Sequence, residues 1–266
     1  MRGGNRSIAM ALAAMVVGAG CHSGQPAARE PEPATQAAAR PTTQPTAQAL
    51  LLPGSPLLTP PPLPDTTIAL VVYLTQGNGD TVEKKMADTR NGQQAIPGQR
   101  DDVLMTIAWD PPYPSLDSLV ITRRGLVPVT EHLAFRGSFN YHYDKNHVAG
   151  TVQPHDSAQR AYDQSFPSNV FAFNEMELLV RSLPFTQGLS VVAPLFSEVD
   201  RDLEMDTLTV LGPDTSSAGR GGNGWMVRFA DPAIVARFVI DRTSRAIMSS
   251  EIFPRKTERR LRYVPS

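Results

Sequence analysis

The feature that most restricts this chain is a recurring one-to-one alternation of apolar and polar residues in short runs beyond Thr67. Val127, Val129, Leu133 and Phe135 fall on one side of such a run, as do Phe139, Tyr141 and Tyr143 in the next. Trp225, Val227 and Phe229 repeat the arrangement, and so do Ile234, Ala236, Phe238 and Ile240. Successive side chains of a strand point to opposite faces, so a period of two gives a sheet with one apolar and one wetter face, as in antiparallel proteins. Strands are predicted at Ile68–Thr75, Val103–Trp109, Ser118–Thr122, Val127–Phe135, Ser138–Tyr143, Val148–Gln153 and Leu189–Leu195. Others are predicted at Leu203–Leu211, Gly224–Phe229, Ala233–Ile240, Ala246–Phe253 and Arg260–Val264. Tight links such as "RRG", "FRGS", "YDKNH" and "DRTSR" join neighbours, so consecutive pairing is the expected topology.

One segment follows a different period. "FNEMELLVRSLPF" places Asn174 as a helix cap with Glu177 three residues on, the spacing of a capping box. Phe173 and Leu178 are set to staple the entry, and Pro184 ends the run. Met176, Leu179, Val180 and Leu183 then form an apolar stripe on a helix over Glu175–Ser182, which has to be buried against the sheet. "SAQRAYDQ", residues 157–164, is read as a second short helix.

The N-terminal quarter is built differently. "MRGGNRS" carries Arg2 and Arg6 and no acid, and an uncharged run from Ile8 to Gly20 follows. That run is shorter than the roughly 20 residues a membrane-crossing helix needs, and its layout is that of a secretory signal. The 24 prolines among 266 residues, with 41% hydrophobic residues, fit one globular domain plus a proline-rich unpacked segment. That segment, "PAAREPEPATQAAARPTTQPTAQALLLPGSPLLTPPPLPD", offers too little apolar surface to offset its ordering entropy. The division expected is 1–20 signal peptide, 21–66 disordered tether and 67–266 antiparallel β domain. A formal net charge of −1 gives no global attraction to nucleic acid, and no nucleic-acid partner is expected.

The only cysteine, Cys21, follows Gly18-Ala19-Gly20. This resembles the lipobox of bacterial lipoproteins, with Gly18 standing where that family usually has leucine. The resemblance implies that the Cys21 thiol carries a diacylglycerol, that the chain is cut before it, and that N-terminal acyl chains hold the protein on a membrane of the cell envelope. A thiolate is the nucleophile such an alkylation needs.

Residues that could carry chemistry are few. His142, Asp144 and His147 flank a predicted turn, with His132 and His155 as further candidate ligands, but no HxH or HExxH spacing supports a metal. Asp214-Thr215-Ser216 is a partial likeness to the Asp-Thr-Gly of aspartic proteases, and neither Asp214-Thr215 nor Asp206-Thr207 is followed by glycine. Gly219, Gly221, Gly222 and Gly224 lead into a strand, where a phosphate-binding loop would lead into a helix. The tail "RKTERRLRY" reads as an edge strand with a charged outer face. No catalytic residue, metal or cofactor is assigned.

The order of features from Asp117 to Phe253 is hairpins, then "FNEMELLVRSLPFTQGL", a strand pair, "GWMVRF" and a closing pair with "VIDRTSR". It resembles a β-rich bacterial envelope family of unknown function and, in pattern, the lipoprotein-localisation carrier and acceptor proteins. The resemblance implies a mainly β fold: a curved antiparallel sheet or half-barrel with one or two short helices packed on it. It also implies an apolar ligand or lipid held between sheet and helix. The expectation is a non-catalytic envelope lipoprotein, and the alternative is an envelope hydrolase, metal-dependent through His142, Asp144 and His147 or of acid type through Asp214.

Overall fold

The computed structural model describes residues 48–61, 66–75, 81–92, 102–109, 115–134, 137–215, 222–255 and 260–265. In chain order, β1 (Ala49–Leu50), β2 (Thr66–Thr75), β3 (Thr81–Gly92) and β4 (Asp102–Trp109) come first. The chain continues through β5 (Ser115–Thr122), β6 (Val127–Ala134), β7 (Gly137–Asp144), β8 (His147–Pro154) and β9 (Arg160–Ser165). The short β10 (Phe171–Ala172) leads through a 3-10 turn, Phe173–Glu175, into helix α1 (Met176–Ser182). A second meander comprises β11 (Ser190–Ser197), β12 (Asp202–Pro213), β13 (Gly224–Ala230), β14 (Ile234–Asp241), β15 (Ile247–Pro254) and β16 (Arg260–Pro265).

All these strands belong to one sheet, ordered β1-β11-β12-β13-β14-β15-β16-β2-β3-β4-β5-β6-β7-β8-β9, with β10 also against β11. Consecutive antiparallel pairing holds within each meander. The two are joined where β16 pairs with β2, Leu261 opposite Leu74. β1 and β10 lie parallel to β11. Among the described residues no ladder joins β9 back to β1, so the sheet stays open, yet it curls until its far parts touch. Phe196 of β11 packs against Tyr141 of β7 at 5.1 Å between ring centroids and against Tyr162 of β9 at 5.7 Å. The Tyr141 hydroxyl donates to the Glu198 carbonyl (2.5 Å), while that of Tyr162 donates to Gln164 Oε1 (2.8 Å) with the Arg201 carbonyl 3.4 Å away. The molecule is a curved antiparallel half-barrel, as expected.

Helix α1 forms part of its filling. Leu178, Leu179, Val180 and Leu183 are buried, and the last three retain no accessible surface, so no water-sized void adjoins them. Each such leucine contributes about 1.5–3 kcal/mol of burial. Leu195, Val227, Phe229, Ala236 and Ile240 of the second meander are equally buried.

Several expectations are corrected. The cap of α1 is Glu175, with no side-chain capping bond. A 3-10 turn precedes the helix, and the Asn174 amide donates instead to Glu131 Oε1 at 2.7 Å. A buried carboxylate is the stronger acceptor. The second short helix at 157–164 is absent: Arg160–Ser165 pairs as β9 along the open edge of β8, where the ladder satisfies the backbone. β3 carries the polar sequence "TVEKKMADTRNG" and was not expected, but it is paired on both sides, by β2 and β4. The tail strand β16 is not an edge strand, because β15 and β2 flank it.

The body also begins earlier than Thr67. Residues 48–61 form a strap in which Leu51 and Leu58 are buried. Leu51 N–H bonds the Val192 carbonyl (2.8 Å), Gly54 N–H that of Gly125 (2.8 Å), and Thr59 N–H that of Ser182 (2.9 Å). The strap thus runs from β11 to the β5–β6 turn and to the end of α1. The signal, Cys21 and the rest of the expected tether through residue 47 lie outside the described residues. Among the described residues no helix is long and apolar enough to cross a membrane.

Candidate functional site

The histidine cluster does not assemble. His142 and Asp144 project from β7 as exposed residues. His147 Nε2 meets Asp163 Oδ1 at 2.9 Å on the neighbouring strand, while His132 Nδ1 meets Asn140 Oδ1 at 2.7 Å. His155 turns to Asp156, 3.3 Å away. His147, His132 and His155 are thus each met by a different local neighbour. Among the described residues no group of three or more His, Cys, Asp or Glu side chains is placed to hold a metal ion, and His142, Asp144 and His147 are not brought together as one ligand set. Asp214 is buried, with its N–H bonded to the Gly224 carbonyl at the base of the β12–β13 hairpin. Gly222 has φ +67°, the left-handed conformation of a hairpin connection, while Gly219 and Gly221 lie outside the described residues.

The densest chemistry is inside, where three glutamates converge under the 3-10 turn. Glu131 comes from the inward face of β6, Glu198 from the residue after β11, and Glu175 from the turn itself. Glu131 Oε2 accepts from the Tyr143 hydroxyl at 2.6 Å, and Oε1 accepts from Asn174. Glu198 Oε1 accepts the Phe173 N–H at 2.7 Å and, at 3.4 Å, the Asn174 N–H. The carboxyls of Glu131 and Glu198 share a hydrogen bond, so the pair holds a proton between them.

Burial is the main cause of every shift here. It raises Glu131, against which the bonds from Tyr143, Asn174 and Glu198 pull down. It raises Glu198 well above the ordinary range, and the charge of Glu131 adds to that. Glu175 is fully buried, neither of its carboxyl oxygens has a hydrogen-bond partner, and it too is pushed far up, first by burial and then by Glu131. Asp117 on β5 rises to about 7 from burial and then from Glu131. Tyr143 is raised by burial and by the glutamates around it. The group is therefore a store of protons held in a dry interior.

A second acid group lies under β12 and β13. Asp206 is fully buried without a hydrogen-bond partner for either oxygen and is raised to about 8 by burial, then by Asp231 and Glu204. Asp231 Oδ1 caps the β13–β14 turn through the N–H groups of Ala233 and Ile234.

These carboxyls can hold and release protons, but Glu131 and Glu198 are each only 3% exposed and offer a substrate no access. The sequence did contain one pointer. In sequence Glu131 falls in the alternating slot between Val129 and Leu133, where an apolar residue is expected. In the structure a register shift opposite Val120 and Ile121 puts Pro128, and not Val127 or Val129, on the buried face with Glu131 and Leu133. Glu175 and Glu198 sit in a turn and beyond a strand end, where no period marks a side chain as inward.

No family model matches the chain, and no curated protein matches it. Among solved structures, it is similar to one described as a beta-barrel-like protein of the domain of unknown function DUF1849 from Brucella abortus. The identity is 11%, the TM-score 0.47, and the match covers 75% of this chain and 96% of that one.

Proposed function

We propose that the protein is a lipid-anchored lipoprotein of the bacterial envelope whose half-barrel binds through its exterior and carries out no chemistry. One observation supports this above the rest: the inward carboxyls are sealed beneath Tyr141, Tyr143 and Phe173, all buried, so the groups best suited to acid catalysis cannot meet a substrate. The acid-hydrolase reading draws on the proton shared by Glu131 and Glu198, an arrangement that catalytic carboxyl pairs use, but it needs an opening into that cluster. Leu179 and Val180 of α1, and Leu183 just after it, are packed without accessible surface, which supports placing ligand contact on the outer surface in this reading. Anchoring is supported by the charged start, the short apolar run and the placement of the lone Cys21.

The test is the mass of the N-terminal peptide after expression in a bacterial host. A peptide beginning at Cys21 and carrying diacylglycerol is expected, with loss of that mass, and of membrane retention that survives about 0.5 M salt, in Cys21→Ser. A free Cys21 thiol in a protein recovered from the soluble fraction overturns the anchor.

A further inference from the structure

The outer faces of β12 to β16 gather arginine. Arg228 on β13 stands opposite Arg237 on β14, Arg237 opposite Glu251 on β15, and Glu251 opposite Arg262 on β16. Arg255 and Arg260 flank the same face, and all five arginines are exposed. Against these stand Glu251 and Asp231, which lines the same side, a formal surplus of three, five minus two, in a chain whose total charge is −1. Like charges placed directly opposite one another weaken a sheet unless a counter-charge covers them. The side chains are also held in place. The Phe253 ring carries Arg237 on one contact, 5.3 Å from its centroid, and Arg260 on another, at 5.2 Å. Arg255 Nε donates to the Asp231 carbonyl at 3.0 Å. Between Arg228 and Arg255 lies an open depression of about 400 Å³ whose other walls include Met205, Thr207 and Thr209.

The route of the chain points to what covers this face. The Gln48 side chain donates to Ser190 Oγ at 2.8 Å, and Ser190 Oγ lies 3.2 Å from Thr209 Oγ1. Thr209 is the register partner of Arg228. The described chain therefore begins at Gln48 in the same cross-strand row as Arg228, with β11 and β12 between the two. Leu50 and Met205, 52% and 51% exposed, lie on the same outer side.

We infer that this face docks on an anionic bilayer surface: the arginines and threonine hydroxyls engage headgroup phosphates, and Met205 and Leu50 enter the interface shallowly. The inference rests on the tethered-lipoprotein reading, which makes a bilayer the nearest polyanion. Its own test does not depend on acylation.

The full chain with Cys21→Ser, which carries no acyl group, is co-sedimented with phosphatidylcholine vesicles with and without about 30 mol% phosphatidylglycerol. The readout is the difference between the two vesicle types. Binding is expected only to the anionic vesicles, and it is lost when salt rises from about 0.05 M to about 0.5 M. Arg228→Gln with Arg237→Gln lowers the partition coefficient by about 25-fold, roughly fivefold per arginine. Arg123→Gln with Arg124→Gln, an equal charge change on the exposed β5–β6 turn, leaves it within about twofold. Equal partition into both vesicle types overturns the inference, as does equal loss in the two double variants. Capture by soluble polyphosphate with no vesicle binding also overturns it, in favour of a polymer ligand. The salt response of the Cys21→Ser chain decides the matter even where an arginine variant fails to fold.

Discussion

Glu175 is the least comfortable side chain in the molecule, a buried carboxyl whose oxygens find no hydrogen-bond partner. Removing a buried polar group that has no partner relieves desolvation without stranding a neighbour. Glu175→Met should therefore raise the unfolding free energy by about 1–3 kcal/mol near pH 7.5. Glu131 is the opposite case, because the Tyr143 hydroxyl and the Asn174 amide both donate to it. Glu131→Ala should cost about 3–5 kcal/mol. Urea midpoints of the two variants check the pair, and a common sign would refute the division of roles given to these glutamates. At this scale only Glu131 was legible beforehand. The other two glutamates owe their inward direction to the 3-10 turn and to the exit of β11, both set by tertiary packing.

Among elements, the strap of residues 48–61 is the one whose composition conceals its role. Its prolines and glutamine-rich approach read as spacer, yet Leu51 and Leu58 close one flank of the core. Gly125 and Gly54 hold the crossing: both have left-handed φ, +81° and +82°, and a Cβ on Gly125 would meet the Gly54 backbone at 2.9 Å and closer. Leu51→Ala with Leu58→Ala should cost at least about 4 kcal/mol by denaturant titration. A change below about 1 kcal/mol would mean the strap is an ornament on a body that folds without it. The strands that sequence reading located are those with one dry face, such as β7 and β14, where alternation is enforced by burial. β9 was mistaken because its burial pattern is exposed at nearly every position, leaving no period to read. β16 was placed at an edge because its arginines suggested a solvated margin, whereas they mark only its outward face. The link between β16 and β2 joins segments far apart in sequence, and no local signal encodes such a pairing.

Over the whole molecule, the buried acids set how stability responds to pH. Carboxyls raised above their unfolded values keep protons in the folded state that the unfolded chain has released. Asp117, at about 7 against 3.8, and Asp206, at about 8 against 3.8, both act in this sense, and Glu175 and Glu198 add to it. Their stabilising contribution is complete below about pH 4 and is lost as pH climbs through about 7 to 8. The melting temperature should thus fall by several degrees, on the order of 5 °C or more, between about pH 5.5 and about pH 8.5. Asp241, lowered by its bonds to Ser244 and Thr243, acts in reverse, but its effect belongs to the acid range below pH 4. A flat or rising melting curve over that alkaline interval would show that the carboxyls are hydrated. The seam around Phe196 gives this sensitivity a direction. Rings and the Tyr141 hydroxyl fasten the ends of the sheet there, with no ladder between them among the described residues, so the wall works as a clasp and not as a tube. Parting it along that line would break no strand pair, but it would pull on the strap that ties β11 to the β5–β6 turn. The first water admitted there finds Glu198, whose carbonyl is half of the catch and whose carboxyl guards the proton store behind it.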